Sequence, residues 1–181
     1  MYQVIILLLL TFAALLPGRS SAGEAFVDRL WGGLEIGGGS VRRDMGESET
    51  DTALYLSFKG GLAVSRHLLL GIELGGYTME AGNRWDPSKG AGVTKGFLVG
   101  QLYSDAARSG WYGKAGAGYL SYWDNSPGGL EDDGWGATVG VGYDFPMKSL
   151  GSFGPLVSVD YGEAGDQEHK AVALALSWTL P

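Results

Sequence analysis

Val172-Ala173-Leu174-Ala175-Leu176-Ser177-Trp178-Thr179-Leu180 is the stretch whose reading decides the fold class. Its odd and even positions separate cleanly. One face reads Val, Leu, Leu, Trp, Leu; the other reads Ala, Ala, Ser, Thr. Successive side chains of a strand point to opposite sides, so a period of two gives this segment one oily face and one small, mildly polar face.

Working back along the chain, the same period returns. Leu54, Leu56, Phe58, Leu62 and Val64 oppose Tyr55, Ser57, Lys59 and Ala63. Leu68, Leu70, Ile72 and Leu74 oppose Gly71, Glu73, Gly75 and Tyr77. Ala137, Val139, Val141, Tyr143 and Phe145 oppose Gly136, Thr138, Gly140, Gly142 and Asp144. Val157, Val159 and Tyr161 oppose Ser158 and Asp160, and near the start Leu34 and Ile36 oppose Glu35 and several glycines. Two further segments, about Thr94 to Ser104 and Trp111 to Trp123, alternate less cleanly, and their facing stays open. No helical period interrupts the series after Leu30, and eight strands result.

Which face meets water decides the class. In a soluble lipocalin-like binder the oily face would point inward and the outside would carry dense mixed charge. Here the second face is Gly, Ala, Ser, Thr and Tyr with about one ionisable residue per strand, which suits the crowded interior of a narrow barrel. The oily face then meets lipid, and closure of the sheet satisfies the backbone hydrogen bonds that hydrocarbon cannot. The expected fold is an all-β, eight-stranded, antiparallel up-and-down transmembrane barrel. Its lumen would hold a mixed-sign charge network of Glu35, Lys59, Glu73, Lys114, Asp144 and Asp160, with Glu73 and Lys114 as a pair closing the interior.

Composition narrows the classes further. The 181 residues carry 32 glycines, 12% aromatics and only 18% charged residues. Glycine at that level, without a collagen repeat, suggests strands where backbones or large side chains come close. Mean hydropathy is near zero, as an alternating barrel would average, and too low for a bundle of membrane helices. The net charge of −7 argues against nucleic acid as a partner, because phosphate binding needs a basic face. Without cysteine there is neither a disulfide framework nor a thiolate metal site. Two histidines, His67 and His169, leave little for metal or acid–base chemistry, and no cofactor is expected.

The chain opens with an export segment. Residues 4 to 16 are an apolar run too short to cross a bilayer comfortably as a helix. Pro17-Gly18 follows, and the small residues Ser20 and Ala22 fit a signal-peptidase site. Residues 1–22 are therefore read as a signal peptide and 23–181 as the barrel domain. Cleavage after Ala25 and an uncleaved anchor are the alternatives, and the leading Met-Tyr-Gln lacks the usual basic residue.

The connections alternate in character. Ser65-Arg66-His67, residues 105–110 and residues 146–151 are short and lean basic through Arg66, Arg108 and Lys148. The segments 42–52, 80–93, 124–134 and 162–169 read as longer, polar, acidic loops. With an even strand count both termini lie with the short turns, on the periplasmic side, and the acidic loops face outward. Trp31, Trp111, Trp123, Trp135, Trp178, Tyr103, Tyr119, Tyr143 and Tyr161 fall near strand ends, where an aromatic girdle meets lipid headgroups.

Trp111-Tyr112-Gly113-Lys114-Ala115-Gly116-Ala117-Gly118-Tyr119, Gly140-Val141-Gly142-Tyr143-Asp144-Phe145 and the alternating C-terminal strand resemble the outer-membrane protein A/X-like family of small eight-stranded barrels. The resemblance covers nearly the whole chain after the export segment, and its motifs mostly encode barrel geometry. It implies the outer membrane of a Gram-negative bacterium, with lipopolysaccharide and the barrel-assembly machinery as partners. It also implies a structural or surface-interaction role through the loops, toward host or cell-surface ligands. One departure stands out: family members usually end in an aromatic residue, whereas this sequence reads Trp178-Thr179-Leu180-Pro181.

Chemistry separates this reading from three other classes. A lipid A deacylase-like barrel enzyme needs a nucleophile, a base and an orienting acid on neighbouring strands. Ser158, Asp160, Glu168 and His169 are the nearest approach to that set, without the His-x-Ser pairing of such enzymes, so no catalytic residue is assigned. A small pore would need lumen space that eight strands barely leave. A soluble periplasmic binder would need the faces reversed.

Overall fold

In the computed structural model, residues 30–44, 48–79, 90–105, 108–124, 131–147, 151–165 and 167–180 are described. Residues 1–29, with the segment read as an export signal, and Pro181 lie outside them. The eight strands are β1 (Leu30–Asp44), β2 (Ser48–Ala63), β3 (Leu68–Met79), β4 (Ala91–Tyr103), β5 (Gly110–Asp124), β6 (Glu131–Pro146), β7 (Ser152–Ala164) and β8 (Gln167–Leu180). Each pairs antiparallel with its neighbours in the chain, and β8 pairs with β1 to close the barrel.

The register sets the shape. From Gly33 the paired residues run through Lys59, Glu73, Phe97, Gly118, Gly136, Gly162 and His169 to Arg43. One circuit thus returns to β1 ten positions further on, which tilts the strands by roughly 40° to the barrel axis. Side chains from distant strands are brought to one height by this stagger.

Alternation then sorts the residues. Leu54, Leu56, Phe58, Leu70, Ile72, Val139, Val157, Leu174 and Leu176 all point outward, while Tyr55, Ser57, Glu73, Thr138, Ser158, Ala173 and Ser177 are buried within. The two strands whose facing stayed open in the sequence settle the same way. On β4, Val93, Lys95, Phe97, Val99, Gln101 and Tyr103 point inward and Leu98 and Leu102 outward. On β5, Tyr112, Lys114, Leu120 and Tyr122 point inward, with Trp111 and Tyr119 outward. Their pattern is blurred because both faces carry large apolar side chains: β4 and β5 fill the space that the alanines of β8 leave empty.

Glycine makes room for two large rings at the end that carries the short turns. A Cβ on Gly71 would lie 2.9 Å from the Trp31 ring, and one on Gly142 would clash with the Tyr112 ring. Trp31 is consequently packed inside the barrel, donating from Nε1 to the Leu70 carbonyl at 3.2 Å. Tyr103 is inside as well, so two of the nine residues assigned to the girdle belong to the lumen instead. Trp111, Trp135, Trp178, Tyr119 and Tyr161 are exposed on the outer face as expected, and Trp111, Tyr143 and Phe145 form a ladder with centroid separations of 5.3 and 4.8 Å.

The far end differs from the sequence reading. Of the segments read as acidic loops, 42–44, 48–52, 91–93, 124, 131–134, 162–164 and 167–169 are strand. Glu131, Asp132, Asp133, Glu163 and Glu168 therefore stand on barrel walls. Polarity was mistaken for irregularity: a closed sheet continues wherever its backbone hydrogen bonds continue, whatever its side chains. Inside these walls Val41, Ala53, Tyr77, Met79, Val93, Leu120, Tyr122, Ala164 and Ala171 form an apolar plug. A second apolar cluster of Trp31, Ala63, Leu69, Tyr103, Tyr112 and Leu156 closes the turn end.

Candidate functional site

Between the two apolar clusters lies the charged middle of the lumen. Glu35 on β1, Lys59 on β2, Glu73 on β3, Lys95 on β4, Lys114 on β5 and Asp160 on β7 all point inward because each falls on the inner phase of its strand. Their ammonium and carboxylate groups form a continuous alternating chain. Lys59 Nζ lies 2.6 Å from Glu35 Oε1, and Lys114 Nζ lies 2.9 Å from both Glu35 Oε2 and Glu73 Oε2. Lys95 Nζ then joins Glu73 Oε1 at 2.8 Å to Asp160 Oδ2 at 2.6 Å. Three cations and three anions alternate, so the chain is neutral as a whole.

Tyrosine hydroxyls add further hydrogen bonds to the carboxylates of the chain. Tyr55 Oη is 2.6 Å from Glu35 Oε2 and 3.0 Å from Glu73 Oε1. Tyr77 donates to Asp160 Oδ2 at 2.7 Å. The Lys95 ammonium also stands 5.0 Å from the centre of the Tyr55 ring and 5.4 Å from that of Phe97. Buried charge is tolerated only when it is paired and hydrogen-bonded, and this arrangement meets both conditions.

The structure brings five of the six residues named from the sequence into that chain, and Glu73 and Lys114 meet as a pair. Asp144 is the exception. It lies buried at the turn end, where Tyr103 Oη and Ser152 Oγ each donate to its Oδ2 at 2.8 Å. No lysine of the chain pairs with it among the described residues, because the strand stagger drops this part of β6 below the level of the ion pairs. Lys95 was absent from the sequence reading. The signal for it was weak: with β4's facing open, nothing local said that its ammonium would reach a carboxylate 65 positions away.

The residues considered for catalysis are not assembled as a triad. Asp160 is engaged by Lys95 and Tyr77, and Glu168 points to the outer surface. His169 stands inside the far end with its ring 5.3 Å from that of Tyr122. A cavity beside it, lined by Lys95, Asp160 and Phe97 among others, offers ≈ 20 Å³ to water, room for roughly one molecule. Among the described residues no cluster of three or more His, Asp or Glu side chains is placed to hold a metal ion.

Solved structures share this architecture. The chain superposes on Ail, the attachment invasion locus protein of Yersinia pestis, with a TM-score of 0.55 and 13% identity over 84% of this chain and 99% of that one. The fold is that of the small eight-stranded outer-membrane barrels. The N-terminal β-barrel domain of Pseudomonas aeruginosa OprF matches with a TM-score of 0.52 and 12% identity, over 83% of this chain and 97% of that one. Neisserial surface protein A gives 0.52 and 12%, over 83% and 96%. No protein-family model matches the sequence, and no curated protein matches it either. The similarity thus lies in the barrel, whose architecture constrains burial and register while leaving side-chain identity free.

Proposed function

We propose that this chain is an outer-membrane barrel of a Gram-negative bacterium with a closed lumen, working as a structural or surface-interaction protein through its far end. The observation that carries the reading is the pairing of an apolar outer band with a neutral interior in which each charge of the chain is ion-paired. Such a barrel spends its charges on holding itself shut and leaves only its outer rim to meet other molecules. Residues 1–22 would act as a cleaved export signal, residues 23–181 as the barrel domain, and the barrel-assembly machinery would insert it.

The far end sets the chemistry of its partners. Over residues 42–52, 80–93, 124–134 and 162–170 the sequence carries thirteen carboxylates and five arginine or lysine side chains. On the outer wall Trp135 lies opposite Tyr119 on one side and Glu163 on the other, with Glu163 opposite Glu168. Aromatic side chains at the edge of the apolar band, with carboxylates beyond them, suit a headgroup layer where divalent cations bridge to lipopolysaccharide phosphates. Ail is known in complex with the heparin analogue sucrose octasulfate. For the present chain an acidic rim favours cationic or cation-bridged surface ligands over a polysulfate.

Fractionation tests the placement: the protein should sediment with outer membranes, and recovery as a soluble periplasmic protein would overturn the reading. Planar-bilayer recording tests the closed lumen, for which no stable ion-size conductance is expected. Incubation with lipopolysaccharide followed by mass measurement of the lipid should return it unmodified; a deacylated product would instead favour an enzyme. Mass measurement of the mature amino terminus should place it at Gly23.

A further inference from the structure

Seven of the eight strand interfaces are paired without a gap over the described residues. The β6–β7 interface is the exception. Its register runs to Gly142 opposite Leu156 and resumes at Phe145 opposite Phe153, leaving Tyr143 and Asp144 unpaired with Pro155 and Gly154. Pro155 has no N–H to donate, so it cannot complete a ladder that a barrel needs on both sides of every strand. Gly154 is drawn tight against β6: a Cβ there would clash with the Tyr143 carbonyl oxygen. On β7's other side the same residues pair normally, Gly154 with Ser177 and Pro155 with Leu176.

Side chains bridge the gap. Asp144 comes from the interrupted part of β6, and Ser152 of β7 donates to its carboxylate across the seam at 2.8 Å. Tyr103 of β4 donates to the same oxygen from across the lumen. Outside, Phe145 and Phe153 face each other in register at the inner aromatic belt. Below the gap the hairpin is held by Met147 N–H to the Gly151 carbonyl at 2.7 Å.

We propose that the inner end of the β6–β7 seam is the barrel's site of local opening, and that Asp144 is the latch that closes it. The inference is independent of the surface role proposed above. Its physical basis is that exchange-competent opening follows the line with fewest backbone hydrogen bonds. Here that line is secured by one carboxylate receiving two hydroxyl hydrogen bonds. The location is consistent with a membrane-inserted barrel, because unpaired backbone groups are tolerable at headgroup level and costly in hydrocarbon.

Residue-resolved hydrogen exchange on the full barrel in lipid nanodiscs tests this. In the wild type, amides of Tyr143, Phe145 and Phe153, which point into the seam, should exchange faster than those of Val139 and Val159. Asp144→Ala should speed them by a further factor of about ten or more, with the Glu35–Lys114 level unchanged. Asp144→Asn, which retains an acceptor, should stay close to wild type. Pro155→Val, by returning an N–H, should slow the same amides several-fold. Uniform acceleration around the barrel in Asp144→Ala, or unchanged exchange in Pro155→Val, would overturn the latch. The proline variant keeps the test decisive if the alanine variant fails to fold.

Discussion

Replacing Lys114 with methionine should destabilise the barrel by about 3–4 kcal/mol, because that lysine is the central cation of the lumen chain. Its ammonium sits 2.9 Å from a carboxylate oxygen of Glu35 and 2.9 Å from one of Glu73. Methionine removes one buried charge, and the local balance then turns on the two acids. Glu35 keeps Lys59 at 2.6 Å and Glu73 keeps Lys95 at 2.8 Å, so neither is stranded. Both also share the Tyr55 hydroxyl, which holds their oxygens within about 6 Å of each other; at an effective dielectric of 20 their unscreened repulsion is roughly 3 kcal/mol. The double variant Lys114→Met, Glu73→Gln removes one cation and one anion together. It leaves two complete pairs, Lys59 with Glu35 and Lys95 with Asp160, and should cost about 2 kcal/mol less than the single variant. Urea unfolding in lipid vesicles, followed by tryptophan fluorescence, measures all members of the cycle. A single-variant loss below about 1 kcal/mol, or additivity of the two substitutions within about 0.5 kcal/mol, would refute the view that the lumen is held by coupled buried charges.

Four further outcomes follow from the same structure. Tyr55→Phe deletes a hydroxyl shared by two carboxylates and should cost about 2–3 kcal/mol in the same unfolding assay, with the barrel still formed. Leu174→Arg puts a cation on the middle of the oily face and should cost about 2–4 kcal/mol in vesicles, whereas Glu163→Arg at the far rim should cost about 1 kcal/mol or less; equal effects would argue against a lipid-facing band. Gly142→Ala pushes a methyl into the Tyr112 ring and should lower stability by about 1–3 kcal/mol, relieved by pairing it with Tyr112→Leu. Neutralising Glu131, Asp132 and Asp133 together should weaken the dependence of the purified barrel's stability on magnesium in lipopolysaccharide-containing vesicles; unchanged dependence would remove the cation-bridging role.

The far end shows what side-chain pattern can and cannot carry. Residues 131–134 read Glu-Asp-Asp-Gly, a composition typical of loops, yet they extend β6 because β5 pairs with all four and β7 joins at Gly134. Side-chain polarity is local, and here the backbone ladder decided. Trp31 and Tyr103 make the complementary point. Proximity to a strand end suggested the girdle, but strand phase put both inside, Trp31 into space that Gly71 leaves open.

What local sequence determined is the two-faced character of each strand, since alternation along one segment needs no knowledge of its neighbours. Leu174 and Ala173, or Phe58 and Lys59, were assigned to opposite sides on that ground alone. From it followed the strand number, the oily exterior and five members of the charged interior. What only the tertiary structure decided is height and partnership. A ten-residue stagger around the barrel lifts Lys95 to Glu73 and Asp160, leaves Asp144 below them with Tyr103 and Ser152, and stacks apolar plugs at both ends. Heights across a lumen depend on the register of all eight interfaces at once, and no single segment of the chain encodes that sum.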